Sequence, residues 1–308
     1  MTATREEARR ELRGYMARNP VGLPQIAEDM GCSYRTLRQW ISQAQFGTSN
    51  GDPFAARVVT WIRANPLPEP ELPGTLYETR ATREMDWLLQ KISGGAWGIL
   101  YGPSGSQKTF LLEYRGVEAG MIPEACIIYL RISPSGMTSA VLLRRIAAAM
   151  GAGYAPSVEG LRQSILLALR RRRRSLALVL DEADHLRKWV DTLETVRELG
   201  DLARTRPGRA GIGILVAGNE RIWKIFEDRK STYFEKWRAR IEDEGLRVVG
   251  PSPHEAGQML AGELGELKPA TVEAIIEACT AQDPESKRRY VNAHRLFKTI
   301  EKMRKARQ

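Results

Sequence analysis

The sequence predicts an α/β fold in which a parallel sheet is flanked by helices, with an all-α domain before it and a helical lid after it. Short, uninterrupted apolar runs alternate with helical patterns from about residue 79 to residue 250, which is typical of buried parallel strands joined by helices. Prolines cluster just before this region, and only helical patterns follow Ser252. We therefore expect a helix-turn-helix domain over 1–46, a linker with a short helix over 47–74, an α/β core over 75–250 and a lid with a basic tail over 251–308.

The composition is that of a folded, water-soluble chain, with 43% hydrophobic and 27% charged residues. No apolar run approaches the roughly 20 residues that a membrane helix needs, and the N-terminus lacks the apolar segment of a signal peptide. Cys32, Cys126 and Cys279 are far apart, which excludes a disulfide framework and a zinc finger. We therefore expect a cytoplasmic protein with no membrane partner.

The formal charge of +10 is concentrated in two places. Arg170–Arg174 is a run of arginines, and the segment 285–308 holds nine basic side chains against two acidic ones. Solvated helix faces would account for any one of these residues. Two separate concentrations favour a polyanionic partner, although the tail would fit an acidic protein surface as well as DNA.

The N-terminal domain begins with a helix over about residues 4–18, which Thr4 and Glu7 cap as a pair. The segment Leu23–Ile41 then has the spacing of a helix-turn-helix, with Gly31 at the turn. The second helix would expose side chains suited to phosphates and base edges. These are Tyr34, Arg35, Arg38 and Gln39. A small helical protein-docking domain is the alternative, and the modest charge of residues 1–48 predicts weak or assisted DNA binding.

The linker is predicted from composition. A polar loop over Gly47–Pro53 precedes a short helical segment, Phe54–Ala64. Four prolines then fall within residues 66–73, and such a segment cannot be a helix or a central strand. In the core that follows, we expect strands at 97–101, 125–130, 176–180 and 212–217, a strand-like segment at 246–249, and helices at 79–92, from 108 onward, and at 138–150, 158–173 and 192–205.

A phosphate-binding loop is predicted between the first strand of the core and the helix that follows it. Backbone N–H groups of such a loop surround phosphates, while Lys108 would reach the terminal phosphates and Thr109 would hold Mg²⁺. Gln107 occupies the place of the last glycine of GxxxxGK[ST], a departure that bears on affinity and loop geometry. The alternative is an ordinary strand-to-helix turn. The loop consists of Gly102, Pro103, Ser104, Gly105, Ser106, Gln107, Lys108 and Thr109.

An apolar strand further along, Leu176–Leu180, ends in Asp181 and Glu182. In this position Asp181 would coordinate Mg²⁺ and Glu182 would polarise the attacking water. Acids at the end of a buried strand are costly to desolvate without such a role. The loop and the acidic strand together predict a site for ATP and Mg²⁺.

Two further features could complete an ATPase site. Asn219 ends the fourth strand and could orient the attacking water, although a helix N-cap accounts for it equally well. Arg238 and Arg240 lie before the strand-like segment, where either could reach the γ-phosphate of a neighbouring subunit or remain solvated.

This set of motifs resembles the AAA+ ATPases, with a P-loop core and a C-terminal lid. Three features are similar to the phage Mu transposition protein B family and related transposon ATPases. They are the Glu78–Arg80 segment (ETR), the run Gly136–Gly151 (GMTSAVLLRRIAAAMG) and the N-terminal helix-turn-helix. The resemblance covers about residues 75–300 for the ATPase and 20–45 for the DNA reader.

The resemblance implies an ATPase that DNA and its partner stimulate, in the cytoplasm of a bacterial cell or a phage-infected host. Such a protein binds double-stranded DNA without sequence specificity, forms a homo-oligomeric filament or ring on it, and delivers it to a transposase, whose strand transfer it stimulates. By position, Arg240 matches the arginine finger better than Arg238. The lid sensor falls at His294 by strict alignment, with Arg295 one step later. The loop from Arg131 to Thr138 would face DNA, with Arg131 foremost.

Two other functions fit the same residues. A helicase loader would share every ATPase residue but contact a helicase. A DNA-binding regulator with little or no ATP turnover would explain Gln107 and the displaced lid arginine.

Overall fold

The computed structural model describes residues 4–18, 23–42, 52–65, 72, 74–120, 127–133, 137–153, 155–172, 174–188, 190–204, 210–227, 234–241, 245–283, 287 and 289–307. The chain forms two compact units, Met1–Pro70 with Thr138–Arg172, and Glu71–Met137 with Arg173–Gln308. The predicted proline linker at 66–70 and 73, most of the polar loop before residue 52, and Arg173 of the arginine run lie outside the described residues. In the described ranges, no helix is both long and apolar enough to cross a membrane.

The helices and strands follow the predicted alternation. The helices are α1 (Arg5–Arg18), α2 (Leu23–Asp29), α3 (Tyr34–Ser42), α4 (Pro53–Ala64), α5 (Arg80–Ser93), α6 (Lys108–Gly120), α7 (Ser139–Ala149), α8 (Val158–Arg170), α9 (Val190–Leu202), α10 (Glu220–Glu227), α11 (Glu235–Arg238), α12 (Pro253–Leu264), α13 (Pro269–Cys279) and α14 (Ala293–Arg307), with a 3₁₀ helix at Ala183–Lys188. The strands are β1 (Trp97–Tyr101), β2 (Ile127–Arg131), β3 (Leu176–Asp181), β4 (Ile212–Ala217), β5 (Leu246–Arg247), β6 (Thr280–Gln282) and β7 (Arg289–Val291).

The second unit is built on a five-stranded parallel sheet in the order β2-β3-β4-β1-β5. This architecture confirms the predicted α/β fold class. Every residue of β1, β3 and β4 is buried, as their continuous apolar runs require, whereas the edge strand β2 is buried only at alternate positions. Because all five strands run in the same direction, their carboxyl ends meet at one edge, where α/β sheets bind ligands.

Helices cover this sheet and build the lid. Met85 and Ile92 of α5 and Leu112 of α6 pack in one apolar cluster with the sheet residues Val179 and Leu215. Residues of α12, α13 and α14 form a second cluster, which is the core of the lid. The lid also contains the antiparallel pair β6–β7, although the sequence shows only helical patterns there. Three residues are too few for strand periodicity to show in the sequence.

The first unit is all-helical. Its core is formed by apolar side chains of α1 to α4, including Leu12, Ile26, Leu37, Val58 and Trp61. Helix α4, which the sequence places in the linker region, therefore contributes to this core. Helices α7 and α8 lie between β2 and β3 in the sequence but pack against each other, and α7 contacts α1. The apolar face of α7 explains its burial, since three of its side chains are fully enclosed.

Candidate functional site

The predicted phosphate-binding loop connects β1 to α6, and its glycines are required by close contacts. Gly102 has a φ of 153°, and a Cβ there would lie 2.0 Å from the carbonyl oxygen of Val248. Gly105 has a φ of 81°, and a Cβ there would lie 2.4 Å from the side chain of Asn292 in the lid. No side chain fits at either position. The loop therefore has the tight backbone path that phosphate binding needs.

Gln107 adopts the left-handed backbone that glycine would provide at this place in the motif, with a φ of 70°. This conformation costs a residue with a side chain about 1–2 kcal/mol. The side chain is buried, and its Nε2 lies 3.9 Å from the sulfur of Met259 on α12. Its Oε1 is buried with no hydrogen-bond partner in the part of the chain that the structure describes. The departure from the motif is therefore accommodated by strain, not by a different loop.

Lys108 is folded into the loop. Its Nζ donates hydrogen bonds of 2.9 Å to the carbonyl oxygens of Gly102 and Pro103 and to Oγ of Ser106. Burial lowers the pKa of Lys108 to about 8, even though Asp181 and other carboxylates act in the opposite direction. A cation in this position has phosphate oxygens as its natural partners.

Thr109 and Asp181 meet at the start of α6 and the end of β3. The Thr109 side chain and the hydroxyl of Tyr129 both hydrogen-bond the Asp181 carboxylate, the latter at 3.0 Å. Asp181 is 1% exposed, and burial raises its pKa despite these hydrogen bonds. Burial thus disfavours the charged form of this carboxylate, and a bound divalent cation would offset that cost. A hydroxyl and a carboxylate oxygen are ligands that Mg²⁺ prefers, so the two residues fit the predicted metal.

Glu182 follows β3 in a left-handed conformation, with a φ of 54°. Its Oε1 accepts a 2.5 Å hydrogen bond from Arg131, and His185 Nε2 lies 3.7 Å from its other carboxylate oxygen. Arg131 ends β2, and the parallel register pairs it directly with Asp181. The general base of the predicted reaction is thus held by a cation from the neighbouring strand.

Asn219 lies at the end of β4, as predicted, and it serves two purposes. Its Nδ2 donates to Asp184 over 2.8 Å, while its Oδ1 accepts from the backbone N–H of Arg221 over 2.8 Å. Asn219 therefore caps helix α10 and also joins the acidic cluster that follows β3. The helix cap is therefore present, and the orientation of an attacking water stays a prediction.

The lid touches the phosphate-binding loop directly. The hydroxyl of Tyr290 and Nδ2 of Asn292 donate to the carbonyl oxygen of Ser104 over 3.2 and 3.3 Å. The backbone N–H of Ala293, the first residue of α14, donates to the carbonyl oxygen of Gly105 over 2.9 Å. The segment that carries the predicted lid sensor therefore contacts the loop mainly through a hydroxyl, a side-chain amide and a backbone N–H group.

Residues of the loop, the acids and the lid line an open cavity of about 960 Å³, large enough for a nucleotide. His294 lines this cavity, whereas the exposed Arg295 is outside its lining. Sequence reasoning missed the aromatic part of the cavity lining, where Phe110 and Phe297 lie with their ring centroids 5.7 Å apart. The sequence signal for these aromatic residues was Phe110, which directly follows Thr109 of the loop.

A buried acid also lines this cavity and was missed as well. The side chain of Glu263 is 6% exposed and pairs with Arg304, while the Tyr77 hydroxyl donates to it over 2.7 Å. Burial and this neighbouring carboxylate raise the pKa of Tyr77 to about 12. Glu263 and Arg304 line the cavity. They lie 41 positions apart in the sequence, so no local pattern could join them.

The candidate arginine fingers lie outside the cavity lining. Arg240 forms a two-pronged ion pair with Asp201 of α9 and donates to the carbonyl oxygen of Lys236 over 2.6 Å. Arg238 donates to the carbonyl oxygen of Phe226 over 3.2 Å. Both arginines are thus bound within their own chain.

The predicted helix-turn-helix lies in the first unit, and the side chains predicted to contact DNA are exposed there. Tyr34, Arg35 and Arg38 are exposed on α3, and Gly31 makes the turn with a φ of 61°. Thr138 is also exposed, but its Oγ1 accepts from the backbone N–H of α7 as an N-cap, over 3.4 Å.

Helix α3 is anchored at its C-terminal end. Asp52 accepts hydrogen bonds from Trp40 Nε1 over 3.0 Å and from the backbone N–H of Phe54 over 2.9 Å, and Arg5 lies 3.1 Å away. Burial alone would raise the pKa of Asp52, but these donors and the charge of Arg5 hold it below its usual value. Asp52 therefore fixes α3 against α1 and α4.

The parallel sheet and the loop after β1 define a P-loop α/β fold. Residues 91–226 match the family model described as an AAA domain. A search of curated proteins finds no match. Cdc6p from Pyrobaculum aerophilum is similar in structure, with a TM-score of 0.55 and 16% identity over 78% of this chain and 66% of that one. The ORC1 protein of Aeropyrum pernix, solved in complex with DNA, has a TM-score of 0.49 and 19% identity over 77% of this chain and 63% of that one.

The chain thus spans slightly less than two thirds of the length of these two structures. At such identities the likeness concerns the fold. Residues 91–226 are thus similar to an AAA domain, and the chain has a P-loop AAA+ fold with a five-stranded parallel sheet.

Proposed function

We propose that this protein is a DNA-stimulated ATPase that assembles on double-stranded DNA and delivers it to a transposase. The AAA+ domain supports the ATPase part, and the helix-turn-helix with its exposed arginines supports the DNA part. The proposal that the partner is a transposase rests on the similarity of the sequence motifs to the phage Mu transposition protein B family.

Each residue at the strand ends has a distinct task in this proposal. Lys108 and the loop N–H groups bind the phosphates of ATP, and Thr109 and Asp181 hold Mg²⁺, which neutralises charge that develops on the phosphates. Glu182 takes up the proton of the attacking water, and Asn219 orients that water together with Asp184.

The single observation that carries the proposal is the ion pair between Arg131 and Glu182. A carboxylate held by a guanidinium is a poor proton acceptor, because the cation stabilises its charged form. The Arg131 side chain is also 55% exposed, so a DNA phosphate can compete for it. DNA binding would then release Glu182 for catalysis and couple hydrolysis to the presence of DNA.

Arg240 would make ATP hydrolysis depend on the assembly of subunits. Its guanidinium is bound to Asp201 in the single chain, so a role as a finger for a neighbouring subunit requires it to leave that carboxylate. Hydrolysis would then depend on a homo-oligomer, a filament or ring, as well as on DNA. Exposed arginines such as Arg35 and Arg38 contact the DNA backbone in this arrangement, so binding should weaken steeply with salt.

The test is steady-state ATP hydrolysis by the full chain, with and without duplex DNA. Wild type should show low turnover that DNA raises. Arg131→Ala should raise the DNA-free rate and remove most of the stimulation, and Glu182→Gln should lower turnover by about 100-fold or more while keeping nucleotide binding. Arg83→Ala is the matched control, since Arg83 forms an exposed ion pair with Glu78 away from the cavity.

Unchanged basal and stimulated rates in Arg131→Ala would contradict the coupling. Wild type that binds ATP and DNA but never hydrolyses ATP would favour the regulator without turnover.

A helicase loader is the second candidate function, favoured by the likeness in fold to Cdc6p. The two candidates share the ATPase residues and differ in their protein partner. Stimulation of strand transfer by a transposase supports the first candidate, and ATP-dependent loading of a hexameric helicase supports the second.

A further inference from the structure

We propose that Gln107 is a positioning residue that ties the phosphate-binding loop to lid helix α12 and thereby prolongs the time that a nucleotide stays bound. The inference rests on the proposed function to the extent that the cavity binds ATP. It concerns the one position where the loop departs from its motif.

The Gln107 side chain does not stabilise the loop itself. Its left-handed backbone is strained, with a φ of 70°, and its buried Oε1 has no partner among the described residues. A glycine would avoid both costs. The benefit of the side chain must therefore lie in what it contacts.

That contact is with the lid. Gln107 Nε2 points to the sulfur of Met259, which is 1% exposed within the apolar core of the lid. At a second place in the loop, Tyr290, Asn292 and Ala293 already hold the carbonyl oxygens of Ser104 and Gly105. Among the described residues, the lid thus contacts the loop at residues 104–105 and at residue 107, and a glycine at residue 107 would lose the second contact.

The consequence follows from the position of the cavity. The loop and the lid both line it, so their separation would ease the release of a nucleotide. Separation pulls the Gln107 amide away from Met259 and out of its buried site. The contact between Gln107 and Met259 should therefore slow nucleotide release more than nucleotide entry, since affinity differences between related complexes lie mainly in the off-rate.

The experiment measures release of N-methylanthraniloyl-ATP from the full chain by stopped-flow fluorescence, beside the thermal unfolding of the nucleotide-free protein. Gln107→Gly should raise the melting temperature, because it removes the strain, and should speed release about three- to tenfold. Gln107→Asn is the matched variant, since asparagine tolerates the left-handed backbone but is one methylene too short to reach Met259. It should also speed release.

Met259→Leu tests the other partner. It keeps the volume of the lid core and removes the sulfur, so faster release with near-normal stability is expected. The opposite changes in stability and nucleotide lifetime in Gln107→Gly are the decisive result, because a purely structural residue would change both in the same direction.

Release from Gln107→Gly and Gln107→Asn at the wild-type rate, or more slowly, would overturn the inference. Wild type that fails to bind the nucleotide at all would instead overturn the proposed ATP site.

Discussion

The lowered pKa of Lys108 predicts that nucleotide affinity depends on pH in an unusual range. Phosphate oxygens bind the charged ammonium, so the lysine must carry its proton when nucleotide is bound. Burial lowers the pKa of Lys108 to about 8 in the nucleotide-free chain, well below the 10.5 of a free lysine. Bound phosphates would raise it again. The affinity should therefore be nearly constant well below pH 8 and fall as the pH rises through 8.

The size of this effect follows from the fraction of Lys108 that is protonated before binding. With a pKa of about 8, this fraction is about three quarters at pH 7.5 and about a tenth at pH 9.0. The affinity should thus fall about eightfold across this range. At pH 8, binding should take up about half a proton per nucleotide.

Isothermal titration calorimetry measures both quantities, since proton uptake appears as a dependence of the binding enthalpy on the buffer. Lys108→Arg is the control, because a guanidinium stays charged throughout this range and should give an affinity that does not change with pH. A wild-type affinity that is constant from pH 7.5 to 9.0, without proton uptake, would refute the reasoning.

Two other predictions concern the lid contact and the anchoring of helix α3. Gly105→Ala should weaken nucleotide binding at least about tenfold, because its Cβ would lie 2.4 Å from Asn292 on a backbone with a φ of 81°. The double variant Gly105→Ala with Asn292→Ala should recover part of the lost affinity. Wild-type affinity in Gly105→Ala alone would contradict the clash. Asp52→Asn should lower the free energy of unfolding by about 1–2 kcal/mol at pH 7, read from denaturant unfolding by tryptophan fluorescence. Since the folded pKa of Asp52 lies below 3.8, its contribution is present at neutral pH and lost only as the pH falls below that value; an unchanged midpoint in the variant would argue against the anchor.

The sequence by itself determined the elements whose signals are local. The continuous apolar runs of β1, β3 and β4 predict buried strands because burial on both faces removes the polar alternation. The loop around Lys108 and the acids at the end of β3 could also be predicted from the sequence, because each motif is a short continuous segment at the end of a strand. The order of the elements then predicted the α/β fold class.

Other outcomes depended on contacts between distant segments. Arg131 and Glu182 lie 51 positions apart, and only the register of β2 against β3 brings them together. Helix α14 begins at Ala293, so consecutive residues point about 100° apart, and this geometry turns His294, not Arg295, toward the cavity.

Gln107 shows the division most clearly. The sequence identifies it as a departure from the motif, but its conformation is imposed by the surrounding loop and its contact is set by the lid helix. A local pattern specifies what a segment can form, because propensity and periodicity act over a few residues. Which side chains meet across the cavity was decided by tertiary packing, because that choice depends on strand register and helix rotation, to which residues throughout the chain contribute.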